Sequence, residues 1–403
     1  MRLLYYADAR SPIARSWVEY FIRAGHEVHW ASSFPAAPIE GLASFQVIPV
    51  AFSGGVALPT SGRPTGVARG LRLRLALRHW LGPLTVGAAA DGLHRIVDQV
   101  RPDLVHALRI PFEGMVAAHA CVGWPLVIST WGNDLTLHAP ASPGMLRLTR
   151  RALGAAAGLH SDCRRDLALA TRWGYPSGRP SIVLPGNGGV RREIFFPVGE
   201  APEHRSDRLS AALAGVPASA PIVVNPRGFR AYVRSDTFFR SIPRVLQRKP
   251  GVVFVCPTMA GDPQAERWLQ RLGIGAAVRL LPSLEPAEIA ALFRRAQVSV
   301  SPSTHDGTPN TLLEAMACGC FPIAGDLESI REWLVRGETG LIVDPADDEG
   351  LAWAILRALD DDGLRQAAAR RNVEVIRQRA DYPACMQQAE AFYHQVVETG
   401  PVL

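Results

Sequence analysis

Short apolar runs alternate with amphipathic stretches along nearly the whole chain. Residues 2–7 form the first apolar run. Ser11-Pro12 and an amphipathic segment ending at Ala24-Gly25 follow it. Further strands are expected at residues 26–31, 45–50, 103–107, 126–130, 158–161 and 182–184. A second series is expected at 222–225, 252–256, 278–281, 298–301, 321–324 and 341–343. Helical patterns lie between them, for example over residues 236–247, 286–296 and 347–359. Alternating β and α units predict parallel sheets with helices on both faces. Right-handed crossovers then predict doubly wound α/β domains whose ligands sit at the carboxyl ends of the strands.

The stretch 198–221, rich in Ala, Pro, Ser and charge, carries no strand signal. It is read as the boundary between two Rossmann-like domains: an N-terminal one over 1–197, a linker over 198–220 and a C-terminal one over 221–383. A last helix over residues 384–399 follows Asp381-Tyr382-Pro383, and the segment 384–403 has room to cross back. A ligand cleft between the domains is the default expectation.

Composition narrows the class. The 403 residues are 48% hydrophobic and 20% charged, a globular balance with room for two domains. No apolar stretch approaches the roughly 18 to 20 residues that span a bilayer. Asp8 interrupts the N-terminus before a signal core could form, so a cytoplasmic protein is expected. Six cysteines lack zinc-site spacing and read as reduced thiols. Among 43 basic residues only Lys249 is lysine, so a phosphate site here is expected to carry arginine.

The most informative segment runs from Ser301 to Gly319. A strand ends in Ser-Pro-Ser, a polar turn containing Asp306 and Gly307 follows, and a helix opens with Pro309 at its first position. The amides of Thr308, Asn310 and Thr311 would then form an anion-binding helix start. Asp306 before the helix and Glu314 in its second turn can reach one ligand from one side. Acids for hydroxyls beside amides for phosphate describe a sugar-nucleotide site. The same residues also fit a capped core helix with two solvated acids.

Asp306-x7-Glu314 followed by Ala-Met-Ala-Cys-Gly resembles the Glu-x7-Glu signature of the retaining glycosyltransferases of family 4, which have the GT-B fold. The resemblance covers most of the chain. Residues 281–302 look like the approach to that signature. Phe321-Pro322-Ile323-Ala324 through Gly337-Glu338-Thr339-Gly340-Leu341-Ile342-Val343 looks like the run after it. Pro185-Gly186-Asn187-Gly188-Gly189-Val190 to Phe196-Pro197 resembles the close of the N-terminal domain. Gly25-His26-Glu27-Val28-His29 is similar to the entry to the second strand.

The resemblance implies roles. Glu314 would bond the ribose hydroxyls. Asp306, one methylene shorter than the usual glutamate, would hold hydroxyls of the donor sugar. Gly307 and Thr308 would touch the sugar and diphosphate. Asn225-Pro226-Arg227-Gly228-Phe229-Arg230 matches the strand end that carries the diphosphate arginine, which makes Arg227 the first candidate. Arg234 stands for the partner lysine, with Arg230 as alternative. The base would be read largely by backbone around 282–284, including Leu284, and UDP is expected by family frequency.

The N-terminal half departs from the family pattern. Trp131, in Thr130-Trp131-Gly132-Asn133-Asp134, stands where many members have a histidine. The first loop, Ser11 to Trp17, lacks the usual glycine pair. His106, Arg109 and Glu113 fall at a strand's carboxyl end, and His106 is either site-facing or a satisfied core histidine. Glu113 and Asp134 are the candidates for acceptor hydroxyls. Retention without a protein nucleophile favours same-face displacement, in which arginines spread charge on the leaving diphosphate and neither metal nor cofactor is called for.

Residues 63–83 place Arg63, Arg69, Arg72, Arg74, Arg78 and His79 among leucines and Trp80, with no acid. Such a stretch can lie on an anionic membrane, grip an anionic acceptor, or form a solvated cationic face. No motif for nucleic acid accompanies it. Two alternatives stay open: a catalytically silent sugar-nucleotide-binding protein and a nucleotide-sugar epimerase of the same fold. A nicotinamide-dependent oxidoreductase would need a glycine fingerprint after the first strand, where Ala7-Asp8-Ala9-Arg10-Ser11 has none.

Overall fold

The computed structural model describes residues 1–55, 76–200, 206–230 and 232–401. The chain divides into two units. One comprises Met1–Gly189 with Pro383–Leu403, the other Val190–Tyr382.

The first unit is built on β1 (Arg2–Ala7), β2 (Glu27–Ser32), β3 (Ser44–Val47), β4 (Leu104–Ala107), β5 (Leu126–Thr130), β6 (Gly158–Ser161) and β7 (Ser181–Val183). They form one parallel sheet in the order β3-β2-β1-β4-β5-β6-β7. The second unit uses β8 (Ile222–Val224), β9 (Val253–Cys256), β10 (Val278–Leu280), β11 (Val298–Ser301), β12 (Phe321–Gly325) and β13 (Leu341–Val343). Its order is β10-β9-β8-β11-β12-β13, also parallel. Both sheets are covered on two faces, which explains why their strands read as unbroken apolar runs rather than alternating ones. In β4 and β5 every residue is buried.

Each expected strand exists; five keep both ends as expected and the others shift by one to three residues at an end. The largest shift is in β3, which stops at Val47 because Pro49 offers no amide hydrogen for another ladder bond. Both sheets reverse direction once. The sequence order grows outward from β1 on one side and from β4 on the other, and likewise from β8 and β11. The carboxyl ends of β1 and β4, and of β8 and β11, are therefore the switch points where a doubly wound sheet leaves a crevice.

The expected linker needs correction. The division falls at Gly189–Val190, not after residue 197, and residues 206–220 are packed structure. Ser206 caps the Asp207–Ala212 helix by accepting from the Leu209 amide, and its hydroxyl donates to Glu288. Leu209 and Ala220 enter one core with Ile222 and Phe293. A helix this short gives little periodicity to read, and its polar residues mimic a linker. Residues 201–205 of that stretch lie outside the described residues. The last helix runs Tyr382–Thr399, and its side chains from residue 383 onward belong to the first unit. Among the described residues no helix is long and apolar enough to cross a membrane.

Candidate active site

In the second unit, β8 ends at Val224 and the loop after it presents Arg227. Asn225 is fully buried and its side-chain oxygen accepts from the Arg227 amide at 3.2 Å, tightening the turn. Gly228 follows with φ +63°, and a Cβ there would meet Thr258 Oγ1 at 2.5 Å, so any other residue in this turn would be strained. The loop is stitched to the end of β11. The Arg234 amide donates to the Pro302 carbonyl at 2.9 Å, and the Thr304 amide to that of Tyr232 at 2.8 Å. These bonds set Arg227 over the turn after β11.

There, Arg227 Nη2 donates to Asp306 Oδ2 at 2.6 Å, and Nη1 to Thr311 Oγ1 at 3.4 Å. Both partners of the ion pair are largely shielded, with side chains 11% and 14% exposed. The Asp306 carbonyl accepts from Ser329 at 2.7 Å, and buried Thr308 accepts from the Trp333 indole at 2.9 Å. The turn is thus fixed from behind by two residues of the segment after β12. Sequence reasoning missed Ser329 and Trp333, because nothing local links them to a loop some twenty residues earlier.

The helix that follows runs Asn310–Ala317, and Pro309 is its cap (φ −70°, ψ 121°) rather than its first residue, which corrects the expected register. The Leu312 amide donates to the Pro309 carbonyl at 3.0 Å. The amides of Asn310 and Thr311 make no hydrogen bond among the described residues, so two donors at the positive end of the helix face outward. The carboxyl of Glu314, one turn on, forms no hydrogen bond or ion pair among the described residues. It is pushed up to about 7 by burial, with Arg227 pulling the other way. Gly307 and Thr308 are buried in the turn and Leu284 is half-buried against the core.

The remaining basic candidates are not equivalent to Arg227. Arg234 is forked on Asp236 at 2.8 and 2.9 Å, and that fork holds Asp236 down to about 2. Arg230 is exposed, and its Nε donates to the Arg227 carbonyl at 3.2 Å. The structure therefore joins Arg227, Asp306 and Thr311, and leaves Arg234 tied to its own acid.

In the first unit the candidates divide differently. Of the two readings open to His106, site-facing or core, the structure shows the core one, which corrects the expectation of His106 as a site residue. It is 1% exposed; its Nδ1 is hydrogen-bonded to the Tyr393 hydroxyl, and Nε2 lies 2.8 Å from Ser129 Oγ. Ser129 bridges on to His160, whose other nitrogen reaches the Leu184 carbonyl at 3.0 Å. Burial holds the His106 imidazole well below its usual range.

Asp134 is also not open to a ligand. It has no exposed surface and takes three bonds: Arg109 Nη2 at 2.7 Å and the amides of Ile110 and Trp131 at 3.1 Å each. It ties the loop after β4 to the loop after β5. Glu113 is 2% exposed, with Oε1 accepting from Ser33 at 2.6 Å and Oε2 buried with no partner among the described residues. Burial raises both carboxyls. Arg109 stays accessible, its guanidinium 5.3 Å from the Trp131 ring.

The two parallel sheets and their switch points are those of a GT-B architecture. The comparisons agree. Residues 11–186 match the model of the glycosyl transferase 4-like domain, and residues 221–361 that of glycosyl transferases group 1. The chain belongs to the family 4 glycosyltransferases. It is 32% identical over 143 residues to a glycogen synthase of Mycobacterium tuberculosis, covering 34% of this chain and 33% of that one. It is 28% identical over 206 residues to a D-inositol 3-phosphate glycosyltransferase of Corynebacterium urealyticum, covering 49% and 47%. The chain thus spans about a third to three fifths of the length of the curated relatives it matches. Sucrose-phosphate synthase from Thermosynechococcus elongatus shares the fold, with a TM-score of 0.74 at 18% identity over 99% of this chain and 100% of that one. So does the Anabaena protein HepE in complex with UDP-glucose, with a TM-score of 0.72 at 15% identity over 98% and 100%.

Proposed function

We propose that the protein is a retaining glycosyltransferase that moves a sugar from a nucleotide-sugar donor, UDP-linked by preference, to a hydroxyl of a glycan, lipid-linked or small-molecule acceptor. The observation that carries this reading is the Arg227–Asp306 pair beside two unbonded helix amides and an unpaired Glu314. Donors for a diphosphate and acceptors for hydroxyls lie within one turn and the helix after it. Glu314 takes the ribose hydroxyls, Asp306 the sugar, and Arg227 with the Asn310 and Thr311 amides the diphosphate. Displacement on the same face lets the leaving phosphate oxygen accept the acceptor's proton while Arg227 spreads the charge. Arginine and amides supply the positive charge, so the reaction is proposed to be independent of metal. The relatives' names, and UDP-glucose in the HepE complex, are consistent with this donor.

Peripheral contact with an anionic membrane from the cytoplasmic side, in glycolipid or polysaccharide synthesis, is proposed through residues 63–83. Of these, 63–75 lie outside the described residues. Within the rest, Leu77, Trp80 and Leu81 are exposed on residues 76–81 of a helix, an arrangement that suits an interfacial segment.

Thermal stabilisation by UDP, GDP, ADP, CDP and dTDP tests the donor site. Ligand at about 100 times its dissociation constant adds roughly 2.7 kcal/mol. One diphosphate is expected to stabilise the wild type and not Glu314→Ala. Stabilisation by none of the five refutes the reading.

A further inference from the structure

The turn that carries Asp306 hangs on two side chains from the segment after β12. Ser329 donates to the Asp306 carbonyl at 2.7 Å, and the Trp333 indole donates to Thr308 Oγ1 at 2.9 Å. We infer that Trp333 is a positioning residue for the donor: through Thr308 it sets the direction of the helix start assigned above to the diphosphate. This rests on the transferase reading and adds to it a residue that acts through another.

Three stiff joints in succession carry the effect. Thr308 is β-branched, so holding its hydroxyl leaves χ1 little freedom and fixes the backbone it stands on. It also precedes a proline, which disfavours helical backbone there and favours extended. Pro309 then has a ring-locked φ of −70°. The next two residues, Asn310 and Thr311, are those whose amides face outward. Two residues back, Asp306 is paired with Arg227. A rotation at Thr308 would therefore displace the amides and the acid together.

Trp333 is itself held in three ways. Its amide donates to the Ile330 carbonyl at 3.0 Å, closing the turn after the short helix Glu328–Arg331. Its ring is buried in one core with Ile330, Leu313 and Met316. The Arg379 guanidinium lies 4.4 Å from the ring centroid, and its Nη1 donates to the Glu332 carbonyl at 2.9 Å. A cation on the ring face draws on the indole electrons and strengthens the N–H as a donor. Arg379 is exposed but anchored. It ends the helix Asp362–Arg379, and the next residue, Ala380, accepts from the Val190 amide at 2.6 Å. A buried indole needs an acceptor. Here the acceptor is a hydroxyl of the donor turn, so one bond both satisfies the core and orients the site.

The test is calorimetric titration of UDP into the full chain and into variants of the pair. Trp333→Phe keeps an aromatic ring under Arg379 and removes the N–H. It is expected to weaken UDP binding about tenfold, and so is Thr308→Val, which removes the hydroxyl. The double variant is expected to bind no more weakly than either single one, because both remove the same bond. A merely structural role predicts otherwise: Trp333→Phe melts lower yet binds UDP like the wild type, or the two losses multiply in the double variant. Either result overturns the inference. If Trp333→Phe does not fold, exchange of the Trp333 indole proton in the wild type decides. Saturating UDP is expected to slow it about tenfold or more, and an unchanged rate overturns the inference. These results refute only the role of Trp333. Failure of the wild type to bind UDP refutes the donor reading instead.

Discussion

Arg227 and Asp306 hold each other at 2.6 Å across the switch point of the second sheet, one after β8 and the other after β11. The pair is preformed and shielded, so a donor bound as proposed would meet an arginine and an acid that are already oriented. Such preorganisation spares reorganisation when charge moves to the leaving group. Arg227→Ala is expected to lower kcat/KM for sugar transfer by about 10² to 10³, measured with the donor that thermal screening identifies. Arg230→Ala, which removes an exposed side chain, should act mainly on KM.

Glu314 gives a pH signature. Its folded-state pKa of about 7 lies above that of an unfolded glutamate, so its contribution to stability is present below the unfolded value and is lost as pH rises through about 7. Urea unfolding of wild type and Glu314→Gln is expected to show the difference moving in favour of Gln between pH 5 and pH 8. A constant difference would mean that the carboxyl is not held up by burial.

The buried histidines act in the opposite direction. His106 is held well below its ordinary value and His160 at about 4, both by burial. A depressed pKa stabilises the fold above the unfolded histidine value near 6.5 and loses that contribution as pH falls towards 4. The first unit should therefore lose stability in mild acid. His160→Gln should flatten that loss in a denaturation series from pH 7 to pH 4.

Asp134 is expected to be a positioning residue. Asp134→Ala leaves Arg109 and two amides without their acceptor and should cost about 3–5 kcal/mol, as for one half of a buried ion pair. Chemical denaturation measures the loss. Diphosphate binding to a still-folded protein should be kept, because the donor residues lie in the other unit.

Gly228→Ala tests the turn that carries Arg227. The substituted Cβ meets Thr258 Oγ1 in a left-handed conformation, a strain of about 1–3 kcal/mol. Weakened diphosphate binding is expected, with a second substitution, Thr258→Ala, restoring part of it.

The donor turn was legible because its chemistry is local. Asp306, Pro309 and Glu314 fall within nine consecutive positions, and the turn and helix fix their relation. The strand series was legible because each buried strand is an apolar run. Facing was not legible in the first unit. All four residues of β4 are buried, so alternation could not tell whether His106 points to a ligand or to the core, and it points to Tyr393. Asp134 looked like a loop acid, because its burial depends on Arg109 and Ile110, more than twenty residues away. Arg234 looked free because its two-residue fork to Asp236 forms only where the chain enters the Ser235–Arg248 helix.

Tyr393 bonds both His106 and Tyr5, so the first strand, the fourth strand and the last helix meet through one phenol. This has a consequence for biosynthesis. The ribosome makes the sheet of the first unit before the helix that completes its core, with all of Val190–Tyr382 emerging in between. The second unit is contiguous and can fold as it appears, whereas the first must hold an unfinished aromatic face until the helix after residue 382 has emerged. A nascent chain stalled before residue 393 would thus carry a complete second unit and a first unit still awaiting the helix that closes its core.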